Sequence, residues 1–331
     1  MKICITGGTG FIGRRLVASL ATMDHQISVL SRTMQLSYPP SVTIIEGDLA
    51  DGNCNLDKFL SGCDLIFHCA GEVSDTSRMR QVHVVGTERL LDATKKYASK
   101  ANKTIHWVQL SSVGAYGLEH TGSKVIERIV TEEASENPIG EYEVTKTQSD
   151  KLVRESAKDG HITFSMLRPT FVFGVGMRNQ SLISLVKFIR RGLFFYIGKK
   201  GAVTNYIHVD DVVDALILCG FHKRAIGQVY NLSNDCLLEE VVESIAASAN
   251  ISAPKLRVPR NVAIIMVQVI GIFVPLPLTL ERVKALSNRT RYSSHKIFSE
   301  LGFRPKRYVP DAIRELDFCG NDSLPTVKLI S

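Results

Sequence analysis

Tyr142 and Lys146 stand four residues apart, and Ser112 precedes them in a Ser111-Ser112 pair. Within a helix, a spacing of four puts two side chains on one face. A free phenol, with a pKa of about 10, is a poor proton carrier at neutral pH. An ammonium beside it stabilises the phenolate and lowers that value, so the tyrosine becomes a usable general acid and base. Ser112, at the end of an apolar run, offers a hydroxyl that can orient a reacting oxygen. This is chemistry for moving a proton onto or off a carbinol oxygen. A lone Tyr-x-x-x-Lys recurs by chance, so its weight comes from what precedes it in the chain.

What precedes it is a phosphate cradle. The strand-like run Lys2–Thr6 leads into Gly7-Gly8-Thr9-Gly10-Phe11-Ile12-Gly13 and then into a helical stretch. Gly7, Gly10 and Gly13 recur every third residue, and without Cβ atoms the backbone can turn tightly and approach a pyrophosphate. The helix start adds free N–H groups and the positive end of its dipole, near Phe11 and Ile12. The position of the triplet between strand and helix marks a dinucleotide site. At the end of the second strand, a carboxylate would hold a ribose 2′-hydroxyl, but the chain reads Leu30-Ser31-Arg32-Thr33. A guanidinium fork at Arg32, a donor at Ser31 and further charge at Arg14 suit a 2′-phosphate, so NADP is expected ahead of NAD. The bland alternative makes Arg32 a solvated loop residue. Asp48, followed by Leu49, suits an adenine amino contact, and His68-Cys69-Ala70-Gly71 closes a strand with small residues where backbone passes near the cofactor. Met1 runs straight into the first strand with no leader pattern, so a cytoplasmic protein is expected.

The elements that must position these groups alternate. Lys2–Thr6, Gln26–Ser31, Val42–Glu46, Asp64–Cys69, Thr104–Ser111 and Ile162–Arg168 read as strands, with helical periodicity over Ile12–Thr22, Arg78–Ser99 and Tyr142–Lys158. Such alternation predicts an α/β fold, a Rossmann-type doubly wound parallel sheet with its ligand crevice at the carboxyl ends of the strands. After Arg168-Pro169 the pattern loosens to a helix at Asp210–Cys219, a strand at Gln228–Leu232, and helical stretches broken by prolines. We expect the cofactor domain to span 1–172 plus about 206–235. A smaller, mostly helical substrate lobe would span about 173–205 and 236–318, with a tail at 319–331.

Bulk composition narrows the function. The 331 residues carry 40 basic and 33 acidic side chains, a net charge of +7, with 44% hydrophobic and 22% charged residues. That is ordinary globular composition. Basic residues never run together in long blocks and aromatics are few, which disfavours a nucleic-acid surface and suits a phosphate-bearing cofactor and an anionic small substrate. The seven cysteines include no CxxC pair, so reduced core thiols are expected and no metal site is indicated.

In this order the motifs resemble the extended branch of the short-chain dehydrogenase/reductase superfamily, the epimerase/dehydratase-like proteins. The resemblance runs through Thr6 to Gly13, Gly47-Asp48-Leu49, His68-Cys69-Ala70, Leu110-Ser111-Ser112 with Tyr116-Gly117, Tyr142-x3-Lys146, Leu167-Arg168-Pro169, Ile207-His208-Val209-Asp210-Asp211 and Glu300-Leu301-Gly302-Phe303-x-Pro305. It implies catalysis by Ser112, Tyr142 and Lys146, with Lys146 also on the cofactor ribose, Arg168 among the cofactor residues, and a homodimer. One departure is His83, in His83-Val84-Val85-Gly86-Thr87, where the branch usually has asparagine. It reads as a buried polar helix residue or, less simply, as a catalytic group.

Substrate class is the open part. Arg168, Arg178, Lys187, Arg190, Arg191, Lys199 and Lys200 precede Asn205-Tyr206 in a region that, by the resemblance, faces the substrate. Arg178 and Asn205 are the expected contacts. Such charge suits a nucleotide-activated sugar, or else is a solvated helix face. The stretch Val262–Leu278 is apolar but short and broken by Gln268 and two prolines. It reads as a buried helix or as a peripheral membrane contact. The leading expectation is reduction of a keto group on a nucleotide sugar. A sugar 4-epimerase or dehydratase with bound NAD, a hydroxysteroid-type dehydrogenase and a non-catalytic NADP sensor stand as alternatives.

Overall fold

The computed structural model describes residues 1–34, 38–117, 127–177, 180–270, 278–314 and 316. Eight strands form one sheet: β1 (Lys2–Thr6), β2 (Gln26–Ser31), β3 (Val42–Asp48), β4 (Asn53–Cys54), β5 (Leu65–His68), β6 (Ile105–Leu110), β7 (Ile162–Pro169) and β8 (Val229–Leu232). Their order is β8-β7-β6-β5-β1-β2-β3-β4. Neighbours run parallel except β4, which pairs antiparallel with β3. β1 lies between β2 and β5, so the chain reverses its progress across the sheet there, and such a switch opens a crevice at the carboxyl ends of the flanking strands. Thr6 is in register with His68, His68 with Gln109, and Leu110 with Leu167, so four strands end along one rim.

Seven helices bear on the argument: α1 (Gly13–Ala21), α2 (Gly86–Lys100), α3 (Glu141–Ser156), α4 (Gln180–Arg190), α5 (Val209–Phe221), α6 (Leu238–Ser248) and α7 (Arg260–Ile270). Alternate strand residues point to opposite faces. Ile3, Ile5, Val29 and Phe67 meet Leu16 and Leu20 of α1 and Val212 and Leu216 of α5. Cys4, Leu30, Ile66 and Trp107 meet Leu90 and Leu91 of α2 and Val153 of α3 on the other face. The sheet is thus wound on both sides, as its alternation predicts.

Among the details that differ, two bear on the site. β3 continues to Asp48 rather than stopping at Glu46. The single helix expected over Arg78–Ser99 instead starts at Thr76–Arg80, widens through one π-helical turn at Gln81–Val85, and continues as α2. In that turn the Gly86 N–H bonds the Gln81 carbonyl, one residue further back than an α-helix allows. His83 lies in the turn and is buried.

A separate core gathers Phe173, Leu182, Val186 and Ile189 with Val241, Val242 and Ile245 of α6. Short strand pairs surround it: Phe171–Phe173 with Tyr206–His208, Tyr196–Ile197 with Arg257–Val258, and Val203–Thr204 with Cys236–Leu237. α7 buries Ala263 and packs Ile264 and Val267 around Ile197 and Val283, while Val262 and Ile265 are exposed. Residues 271–277 of the apolar stretch and the expected tail at 319–331 lie outside the described residues. Among the described residues, no helix is long and apolar enough to cross a membrane.

Candidate active site

At the switch point the chain leaves β1 through Gly7, whose φ of +67° favours glycine. A Cβ there would lie 2.6 Å from the Cys69 carbonyl and the Ala70 nitrogen, and one at Gly13 would lie 2.1 Å from the Gly7 carbonyl oxygen. Both positions therefore exclude any side chain. Gly10 turns its bare side outward, with only the Gly7 oxygen within 4 Å of where a Cβ would stand. No side chain caps α1 at Ile12; the Arg14 N–H turns back to the Gly10 carbonyl and the Arg15 N–H to the Ile12 carbonyl. A cradle that side chains would fill and an uncapped helix start fit a dinucleotide pyrophosphate.

The three residues expected to carry the chemistry come together at this rim. Ser112 follows β6 and caps a tight turn, its hydroxyl accepting from the Gly114 N–H at 3.1 Å. That turn lies against the first turn of α3, where a Cβ on Gly114 would meet Glu143 Cγ at 2.6 Å. Tyr142 and Lys146 share one face of α3, and the Lys146 ammonium donates to the Leu110 carbonyl at 2.6 Å, tying α3 to the end of β6. Here the electrostatics depart from expectation. The Tyr142 phenol is pushed up to about 12, first by burial and then by the carboxylates of Glu143 and Asp150. The ammonium, its own pKa lowered by burial, is turned to a carbonyl and does not offset this. In this state Tyr142 is a proton-bearing acid.

Several other expected contacts are committed elsewhere. Arg168, expected at the cofactor, is buried; it donates to Asp150 at 2.9 Å and to Glu136 at 2.5 Å and lies 5.0 Å over the Tyr116 ring. Burial opposes its charge, but Asp150, Tyr116 and Glu136 outweigh it and raise the pKa. Asn205, expected at the substrate, donates to Asp235 and to the Thr290 carbonyl, each at 2.9 Å, and accepts from Asn288 at 2.8 Å. Asp48 accepts from the Ala50 N–H and pairs with Arg78 at 3.2 Å; Leu49 beside it is buried. His68 turns its side chain inward between Thr6 (2.7 Å) and Thr87 (3.0 Å), leaving only backbone toward the crevice. The Ser31 hydroxyl donates to the Thr33 carbonyl, while Arg32 is exposed. Arg178 lies outside the described residues.

His83 is an internal polar bridge. Its Nε2 accepts from the Glu72 N–H at 2.9 Å, so Nδ1 carries the proton and donates to Thr145 at 2.8 Å; Thr145 in turn donates to the Glu141 carbonyl. Burial pushes its pKa down to about 3. An asparagine amide offers the same acceptor and donor pair.

Asp150 was missed in the sequence, although it continues the four-residue spacing of Tyr142 and Lys146. Its Oδ2 accepts from Ser111 at 2.6 Å as well as from Arg168. The serine doublet thus divides, Ser111 to this buried ion pair and Ser112 to the rim. Asp150→Ala leaves the Arg168 charge buried with Glu136 as its remaining carboxylate, and we expect a loss of about 3 kcal/mol in stability. Urea unfolding measures it, and adding Arg168→Met should recover part of the loss. An unchanged unfolding midpoint for Asp150→Ala would remove the ion pair from the account.

A cavity of about 180 Å³ lies beside α4. It is walled by Leu185, Phe188, Phe194, Phe195, Ile197 and Leu286, with Ser181, Ser184, Tyr206 and Arg282 as its main polar contributors. At about 100° per residue, Ser181, Ser184, Leu185 and Phe188 share one helix face. Leu182, Val186 and Ile189 occupy a second, against the core. Lys187 and Arg190 fall away from the cavity face and do not line it.

The model of the NAD dependent epimerase/dehydratase family matches residues 3–233. The chain belongs to this family, and it is an NAD(P)-dependent enzyme of the extended short-chain dehydrogenase/reductase type. It is similar to 2-alkyl-3-oxoalkanoate reductase of Stenotrophomonas maltophilia, with 26% identity covering 96% of this chain and 98% of the relative. It is also similar to UDP-glucose 4-epimerase of Vibrio cholerae, with 24% identity covering 78% and 79%. The crystal structure of UDP-glucuronic acid 4-epimerase from Bacillus cereus in complex with NAD shares the fold, with a TM-score of 0.71 and 19% identity over 95% of this chain and 96% of that one.

Proposed function

We propose that this protein is an NADP-dependent oxidoreductase that reduces a keto group of a small substrate to a carbinol, with Ser112, Tyr142 and Lys146 as its catalytic residues. The observation that carries the reading is the Tyr142–Lys146 face of α3, fastened by the Lys146–Leu110 bond to the strand that ends at Ser112 and set at the rim of the glycine cradle. Bound in that cradle, the cofactor supplies the hydride. Ser112 orients the substrate oxygen, and Tyr142 gives its proton to that oxygen as negative charge develops on it. Swung from the Leu110 carbonyl toward the phenol oxygen, the Lys146 ammonium would stabilise the phenolate left behind. The raised phenol pKa supports the reductive direction, because the proton to be donated is held through neutral pH.

The NADP preference rests on the end of β2, where exposed Arg32 stands in place of a carboxylate. In fluorescence titrations, NADPH should bind at least tenfold tighter than NADH, and Arg32→Ala should lose about 1.4 kcal/mol or more of that difference. Loss of NADPH absorbance with a ketone then tests the reaction itself. Tightly co-purifying NAD with no Arg32 effect would instead favour epimerase or dehydratase chemistry, the reading to which the UDP-glucose 4-epimerase likeness lends weight.

A further inference from the structure

We propose that the cavity beside α4 receives an apolar part of the substrate, a hydrocarbon chain or ring carried by the reacting ketone, in place of a nucleoside diphosphate. The proposal rests on the keto-reductase reading and names the substrate class for that same site.

The path of the chain connects the cavity to the cofactor cradle. β7 ends at the rim, and Phe171–Phe173 follows at once, paired with Tyr206–His208. The Tyr206 ring packs edge-on against Phe171 and Phe173 and forms part of the cavity wall. The next loop lies over the start of α1, where Arg15 donates to the Val175 carbonyl at 2.8 Å and the Arg14 guanidinium sits under Gly176. α4 then begins, and its face from Ser181 to Phe188 walls the cavity.

The chemistry of the wall selects the occupant. A diphosphate brought out of water requires several charge-assisted donors, because a buried, unpaired anion is very costly. Among the described lining residues Arg282 is the one cation. Lys187 and Arg190, which the sequence offers for this purpose, lie on other faces of α4, and Arg168 is held by Asp150 and Glu136. Three phenylalanines, with leucine and isoleucine, instead present hydrocarbon, and apolar pockets with a few polar groups are built for apolar ligands.

The test reads binding without turnover. Phe188→Trp places a reporter in the wall, against a constant background from Trp107, which is buried in the sheet core. Titration with 2-octanone and 2-decanone should shift its emission to the blue and saturate. Two further methylenes should tighten binding about fifteenfold, at ~0.8 kcal/mol each. UDP should leave the emission unchanged. The unsubstituted protein provides the second measurement: 2-decanone should raise its urea midpoint and UDP should not. Saturable binding of UDP without ketone binding, or ketone affinity independent of chain length, would overturn the proposal. The reductase reading fails separately, if Tyr142→Phe keeps its NADPH-dependent turnover while the ketones still bind.

Discussion

Replacing Tyr142 with phenylalanine should lower kcat for ketone reduction about a thousandfold while NADPH affinity changes little, since positioned general acid catalysis contributes 10²–10⁴. The substitution deletes one oxygen at a partly buried site on α3 and leaves the Lys146–Leu110 bond in place, so folding should be preserved. The pH profile separates a proton donor from a structural hydroxyl. With the phenol pushed up to about 12, the proton-bearing form dominates across the neutral range, and reduction should be nearly flat with pH there. Oxidation of the carbinol needs the phenolate and should climb as pH rises, by up to about tenfold per unit. Lys146→Met should depress both directions and weaken the cofactor as well, because it removes the cation that shares the Tyr142 face of α3. A Tyr142→Phe enzyme within about threefold of the parent, or an oxidation rate falling with pH, would remove Tyr142 from the proton-transfer role.

How much of this was legible in the sequence depends on the range of the interaction. Gly7, Gly10 and Gly13, the Tyr142–Lys146 spacing and the strand–helix alternation are local patterns, and the backbone follows them. Helix α4 was half legible: Lys187, Arg190 and Arg191 suggested a helix with a solvated face, but only the packed structure shows that its face from Ser181 to Phe188 lines a cavity. Arg168 and Asn205 were misplaced for a different reason. Arg168 finds Glu136 and Asp150, and Asn205 finds Asp235, Thr290 and Asn288. These partners lie far away in the chain, and no spacing rule couples them. A basic or amide side chain near a presumed site reads as a ligand contact until its buried partner is known. Asp150 is the converse case. Its spacing from Lys146 was available, but its role depends on Ser111 and Arg168 arriving from β6 and β7. The π-helical turn around His83 was likewise hidden, because one extra residue in a turn leaves no compositional mark.

The buried histidines make the protein acid-sensitive, and His83 allows that to be measured one proton at a time. Burial lowers the pKa of His68, His83 and His106, His83 to about 3 and His68 well below its ordinary value. Both His68 and His83 are about 1% exposed, so solvent screening does little to weaken this. A histidine held neutral in the fold but free to charge when unfolded binds more protons in the unfolded state. Stability is therefore full above the unfolded pKa of about 6.5 and falls as pH drops below it. Between about pH 7.5 and pH 5, His83, with its pKa near 3, should by itself remove about 2 kcal/mol, and His68 and His106 act in the same direction. The carboxylates held low by their partners, such as Glu136, begin to titrate only at lower pH, so they do not mask this window. A loss of that size is a large share of the ~5–15 kcal/mol typical of a domain. His83→Asn keeps an acceptor for the Glu72 N–H and a donor for Thr145 but cannot be protonated. Urea unfolding at the two pH values should show the variant losing about 2 kcal/mol less than the parent. Equal stability of the parent at both pH values, or the same acid loss with and without His83, would mean that these imidazoles are not held neutral by the fold.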